Sequence, residues 1–335
     1  MSMSVDTPVE PRNAPRAGAG APAGPGHAAH VLIVPPKGFQ PLDLPELWRF
    51  RELLYFLAWR DVKVRYKQTF LGAAWAVLQP LMMMIVFATF FGRLANVPTG
   101  GLPYPLFAIA GLLPWTFFST AVSGAGMSVI GSERLITKIY FPRLAVPFAA
   151  VGASVVDFVV SIGLLFVMMA YYRVAPGPGL LLLPVIFTSI LLTALGVGTL
   201  LAALNVAYRD FRYVIPFLLQ IWMFATPSVY MQVDAPPPAA AAPAADGAQA
   251  GAAPAGGSDG RAADAPAKKG PGRKWLRAVL ALNPMTGLIS AFRAAALGGP
   301  IPWGPFAVST ACAGAAFLVG CLYFRRVEDG FADII

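Results

Sequence analysis

At 335 residues, 57% hydrophobic and only 12% charged, with a mean hydropathy of +0.64, the chain lies far outside the balance of a soluble domain and reads as a multi-spanning membrane protein. Its formal net charge of +9 does not point to nucleic acid, because the Lys and Arg residues sit beside apolar runs, where they fix orientation in a bilayer. Cys312 and Cys321 share one apolar segment on different sides of a helix, which gives neither a disulfide framework nor a metal-ligand pattern.

Residues 1–45 are rich in Pro, Ala and Gly and contain no apolar core followed by a cleavage site, so they read as a disordered cytoplasmic tail. Both histidines, His27 and His30, fall in this tail, leaving the rest of the chain without an imidazole for acid-base work or metal binding. Residues 46–70 place Leu47, Phe50, Leu54 and Leu57 on one helical face with Trp48, Trp59 and a growing set of cations around it. That pattern predicts an amphipathic helix along the inner membrane surface, with a plain amphipathic connector as the alternative.

Six stretches within 71–324 reach the roughly 20 apolar residues that a spanning helix needs: Leu71 to Phe91, Tyr104 to Val122, Val146 to Tyr172, Leu180 to Val206, Tyr213 to Tyr230 and Phe306 to Phe324. Arg49, Arg51, Arg60, Lys63, Arg65 and Lys67 precede the first; Arg134, Lys138, Arg143, Arg209, Arg212, Arg325 and Arg326 flank the others on the same side. Only Arg93 and Arg173 occupy the short loops opposite. The cation-rich side is therefore cytoplasmic, with both termini and the short 325–335 tail inside.

Residues 275–297 form a seventh apolar stretch, broken by Asn283 and Pro284 and carrying Arg277 and Arg293. A full span there would put Arg325 and Arg326 outside, so the stretch reads as two short helices dipping into the outer leaflet and returning. Before it, 234–272 is an Ala/Pro-rich, low-complexity insertion that cannot bury a core and is expected outside the membrane. The fold class is thus all-α integral membrane protein.

Between the second and third spans lies SERLITKIYFPRL, where Ser132 can cap a short helix, Glu133 suits its positive end and Pro142 stops it. Leu135, Ile136, Ile139 and Tyr140 gather on one face of about two turns, with Arg134 and Lys138 on another. Such a cytoplasmic helix suits either membrane-surface packing or the docking of a partner. In the third span, Asp157 is the only acidic residue within a predicted span. An intramembrane carboxylate needs a polar partner, for which Gln79, Asn205 and Gln220 are the candidates, and either a structural contact or a proton relay would explain it.

Five segments taken together, RDVKVRYKQTFLGAAWAVLQP, GLLPWTFFSTAVSG, ITKIYFPRLAVP, NVAYRDFRYVIPFLLQIWMFATPSVY and LNPMTGLISAFRAAALG, resemble the ABC-2 type transporter permeases that export polysaccharides: O-antigen, capsule or teichoic acid. The match runs from about Leu47 to Phe324. The resemblance implies a homodimer of six-span protomers in the bacterial inner membrane, paired with two copies of a separate ABC ATPase that holds ATP and Mg, this chain itself having no cofactor and no catalytic residue. It implies that Glu133, Arg134, Leu135, Lys138 and Tyr140 form a coupling helix that docks on the ATPase. It also implies that Asn283, Pro284 and Met285 belong to an external gate, here preceded by a longer insertion than the family's usual connection.

The cargo implied is a lipid-linked polysaccharide, most simply O-antigen. Aromatic rings stack on the C–H faces of pyranoses, and Tyr104, Phe107, Trp115, Phe117, Phe118, Trp222, Phe224 and Tyr230 are the candidates for its path, against interfacial or core packing. The dipeptide Gly-Lys never occurs, so no G-x-x-x-x-G-K-[ST] phosphate loop exists in this chain. A secondary transporter or channel would ordinarily show paired broken helices or several intramembrane ionisable groups. A membrane-embedded glycan-modifying enzyme would need a nucleophile with a base, or paired carboxylates.

Overall fold

A computed structural model of the chain describes residues 44–67, 74–95, 97, 99, 101–229, 231 and 282–331. The expectations for the first 43 residues with His27 and His30, for Tyr230, for the 234–272 insertion and for the entering half of the gate hairpin lie outside these residues.

Among the described residues all regular structure is helical. Helices α1 (Leu44–Arg49) and α2 (Arg51–Lys67) form the pre-span segment. The long helices are α3 (Ala74–Phe87, continuing as a π-helical turn to Leu94), α4 (Tyr104–Gly131), α6 (Ala145–Tyr171), α7 (Leu183–Ala207, entered through a 3-10 turn at Pro178) and α10 (Trp303–Val327). Short helices α5 (Glu133–Ile136), α8 (Phe211–Phe224) and α9 (Pro284–Leu297) lie between them.

Among the described residues five segments are long and apolar enough to cross a membrane: Ala74–Leu94, Tyr104–Gly131, Ala145–Tyr171, Pro178–Ala207 and Trp303–Val327. The protein is a multi-pass membrane protein. The sixth expected span is shorter than its apolar run. Helix α8 stops at Phe224 and a 3-10 turn, Pro227–Val229, follows. Pro227 has no amide hydrogen to donate and restricts Thr226 before it, which favours the helix end seen here.

Helix α4 is the hub. Its residues dominate the main buried cluster, which gathers side chains from α3, α6, α7, α8 and α9 around it. A second buried cluster sits where α4, α7 and α10 end and α6 begins, uniting Val129, Ala145, Val206 and Phe324. Helices α7 and α10 cross at Gly196 and Gly320, where a Cβ on either would overlap the other's backbone. Glycine there permits the close approach on which membrane helix packing relies.

Candidate functional site

A groove of about 540 Å³ is bounded by α3, α4, α6 and the end of α2. Thr116, Ser119, Thr120 and Ser123 repeat at helical spacing along α4, and Ser154, Asp157 and Ser161 repeat along α6. Hydroxyls on a spanning helix stay satisfied by donating to their own turn. Thr120 Oγ1 donates to Thr116 O at 2.8 Å and Ser119 Oγ to the same carbonyl at 3.1 Å. Ser161 Oγ donates to Asp157 O at 2.8 Å, and Ala76 O of α3 lies within reach of the same hydroxyl at 3.2 Å. Their lone pairs remain able to accept further hydrogen bonds. Trp75 and Phe117 add flat apolar faces to the same walls.

Asp157 is held by neither Gln79, Asn205 nor Gln220, which corrects the sequence expectation. Its two oxygens accept from Arg65 Nη1 and Tyr66 Oη, both on α2. Asn205 instead donates to Gly126 O at 2.8 Å, while Gln79 and Gln220 are exposed. Burial, then the bond to Asp157, pushes the Tyr66 phenol up to about 12, so it remains a donor through the physiological range. The pre-span helix therefore docks on α6 in the groove wall. Of its expected apolar face, Leu47 and Phe50 pack against the second buried cluster, Leu57 is buried and Leu54 is half-buried, while Leu53, outside that set, joins the same cluster.

The aromatic candidates divide. Tyr104, Phe107, Trp115, Phe117 and Phe118 are buried within the protomer. Phe117 packs at a tilt against Phe158 and Phe187, and Phe118 meets Trp222 edge-on at 5.1 Å. Of the eight, Phe117 borders the groove and Phe224 is exposed at 61%. Tyr104, Phe107, Trp115 and Phe118 face the core, because their positions on α4 are covered by neighbouring helices rather than by an open path.

The segment between α4 and α6 is tighter than two full turns. Helix α5 covers only Glu133–Ile136, extended by turn bonds from Thr137 N to Glu133 O and Ile139 N to Leu135 O. The Ser132 side chain makes no capping bond; its carbonyl accepts from Leu135 N at 2.9 Å instead. Nor do the four apolar residues share one environment. Ile136 is buried and Leu135 packs beside it, while Ile139 and Tyr140 are 56% and 75% exposed. Glu133, Arg134 and Lys138 are exposed with them. Arg143, an orientation charge in the sequence, donates to Glu328 O and ties this loop to the turn after α10. Phe331 packs edge-on against Phe324 at 5.2 Å, so the chain beyond Arg325 is anchored as far as Phe331.

At the opposite end, Asn283 caps α9 by accepting from Met285 N at 3.1 Å. It also accepts from Trp222 Nε1 at 2.9 Å and donates to Thr226 Oγ1 at 2.8 Å, fastening α9 to the end of α8. Pro284 takes the first helical position and Met285 is fully buried. Sequence reasoning passed over the role of Arg293. Only 7% exposed, it donates to Phe107 O, Ser228 O and Val229 O and lies 3.7 Å over the Phe107 ring. Its signal was legible as an arginine inside an apolar run. Among the described residues no group of His, Cys, Asp and Glu could hold a metal ion.

Residues 52–238 match the family model described as ABC-2 type transporter. An O-antigen export system permease protein RfbA of Myxococcus xanthus is 36% identical over 187 residues, covering 55% of this chain and 70% of that protein. A protein of the same description from Klebsiella pneumoniae is 27% identical over 180 residues, covering 53% and 69%. The polysialic acid transport protein KpsM of Escherichia coli is 20% identical over 168 residues, covering 48% and 63%.

Proposed function

The chain belongs to the ABC-2 type transporter family, and from that premise we propose that it is the membrane subunit of an ATP-driven exporter moving a lipid-linked polysaccharide, O-antigen in the simplest case, across the bacterial inner membrane. The observation that carries the cargo assignment is the hydroxyl-walled groove. Two facing helices present Thr116, Ser119, Thr120 and Ser123 opposite Ser154, Asp157 and Ser161, with Trp75 and Phe117 between. Repeated acceptors and flat rings suit a polyhydroxylated chain that must slide without being held. In this proposal Phe117, Trp222, Phe224 and Tyr230 serve the path, and the buried aromatics of α4 support its wall.

The protomer crosses the membrane six times in this reading. The ends of α4, α7 and α10 meet in one cluster, so the chain must cross once more between Ala207 and Trp303. Helix α8 at 14 residues rises about 21 Å, and the 3-10 turn adds about 6 Å, close to the roughly 30 Å of a hydrocarbon core. Both termini, with residues 1–45, lie in the cytoplasm and 234–272 lies outside. Asn283, Pro284 and Met285 close the external end.

Two protomers pair with two ATPase subunits, which bind ATP and Mg and dock on Glu133, Arg134, Leu135, Lys138 and Tyr140. The exposed mixture of charge and aromatic surface on this loop supports that assignment. A pull-down of the tagged chain from gently solubilised membranes should bring an ATPase at one copy per permease. Arg134→Glu with Lys138→Glu should abolish that association while the protein stays in the membrane. A permease recovered without any nucleotide-hydrolysing partner, under conditions that keep a known ABC complex together, would refute the exporter assignment.

A further inference from the structure

We infer that the outward face of α2 is a binding site for an acidic phospholipid of the inner leaflet, holding the headgroup phosphate between Lys63 and Lys67 and the upper acyl region against Phe56, Trp59 and Val64. These side chains, with Arg60, border a cleft of about 450 Å³ and fall on one stripe of the helix. The face is apolar and cationic at once. Phe56 is 65% and Val64 73% exposed, whereas a face turned to the cytoplasm would carry no reason to expose them.

The cations on this stripe are differently engaged. Arg60 is taken by Asp61, with Nη2 to Oδ1 at 2.8 Å. Lys63 and Lys67 pair with no carboxylate among the described residues, and they stand one helical turn apart. Lys63 Nζ lies 5.7 Å over the Trp59 ring, and Trp59 stacks nearly parallel to Tyr55 at 6.5 Å. The aromatic pair thus positions an ammonium beside an apolar floor.

The setting selects a lipid rather than a soluble anion. The other side of α2 is fixed to α6 through Arg65 and Tyr66, and the first span begins at Ala74, seven residues beyond Lys67. The stripe therefore stands at the level where phosphate groups and acyl chains meet, with charge opposite to that of an acidic headgroup. The inference is independent of the cargo assigned above.

The test uses the full-length protein in mixed micelles of phosphatidylcholine and phosphatidylglycerol, with bound lipid counted by mass spectrometry after graded delipidation. The wild type should retain phosphatidylglycerol in preference. Lys63→Gln with Lys67→Gln should lower that retention about 25-fold, from roughly fivefold per cation near an anionic surface. Arg134→Gln with Lys138→Gln removes the same charge from another cytoplasmic loop and should leave retention as in the wild type. As a second measurement, the emission lost on Trp59→Phe isolates Trp59, which brominated phosphatidylglycerol should quench more than brominated phosphatidylcholine. Equal retention of the two lipids, equal loss in the control variant, or equal quenching would each overturn the site.

Discussion

Replacing Arg293 by Met keeps an unbranched side chain in place but removes the donors that reach the carbonyls of Phe107, Ser228 and Val229 at 3.2, 2.6 and 3.1 Å. Phe107 O lies inside α4 and keeps its helical bond, whereas Ser228 and Val229 end a 3-10 turn. A buried acceptor left without a partner costs about 1–3 kcal/mol, so two cost about 2–6 kcal/mol. Relief from holding a guanidinium out of water offsets part of this, leaving about 3 kcal/mol. At roughly 2–4 °C per kcal/mol the melting midpoint in detergent, followed by intrinsic fluorescence, should fall by about 10 °C. Arg293→Lys should fall by about half as much, since one ammonium retains the charge but loses the forked geometry. A Met variant melting within about 2 °C of the wild type would refute the assignment of Arg293 as the pin between α9, α4 and the turn after α8.

Gly320→Val inserts a branched side chain where the backbones of α7 and α10 touch. Overpacking of this kind costs about 1–3 kcal/mol or more, and the variant should appear in membranes at reduced level, a loss that Gly314→Val, in open space, does not share. Asp157→Asn should leave melting within about 1 kcal/mol of the wild type, because its partner Arg65 is 38% exposed and screened. Surface polysaccharide should nevertheless fall, as the groove gains an uncompensated cation; undiminished display would show that Asp157 is only a tether. The Tyr66 phenol, raised from 10.0 to about 12 by burial first, contributes stability that is complete below its unfolded value and is lost as pH rises through about 12. The tyrosinate absorbance of the wild type minus that of Tyr66→Phe should accordingly be flat up to about pH 10 and rise about two units later.

Long apolar runs made the five helices that can span the membrane legible, because a bilayer demands both length and composition. The end of α8 was legible in principle from Thr226-Pro227, but the apolar run continued to Tyr230 and outweighed that local stop signal. The Asp157 pair was not legible. Its partners lie about ninety residues earlier on α2, among cations that already had a sufficient explanation in orientation. The aromatic residues of α4 were ambiguous for a related reason: a Phe facing lipid, cargo or core has the same spacing, and only the packing of α6, α8 and α9 around α4 decides which. Ser132 illustrates the limit of capping signatures, since it terminates α4 as it opens α5 and its side chain has no amide to accept from.

In the proposed exporter, Ile136 would separate docking from transmission within the loop that joins α4 to α6. Its side chain is buried with Val129, Phe141, Val206 and Phe324, and Leu47 and Phe50 pack on the same cluster. A loop displaced by a docked partner cannot move alone, because a close-packed interior passes displacement to its neighbours. The neighbours here are the ends of α4, α7 and α10 and the start of the pre-span segment, whose helix α2, with 17 residues, extends about 25 Å to Arg65 and Tyr66 in the groove wall. This is a physically connected route from the loop to the groove wall. Ile136→Ala leaves Arg134, Lys138 and Tyr140 exposed but opens a cavity at the anchor, costing about 2–4 kcal/mol locally. The ATPase should still co-purify at one copy per permease, while its hydrolysis rate in reconstituted vesicles should no longer change with cargo. If cargo stimulates hydrolysis in Ile136→Ala as it does in the wild type, the buried anchor is not the link, and motion must pass through the exposed side chains alone.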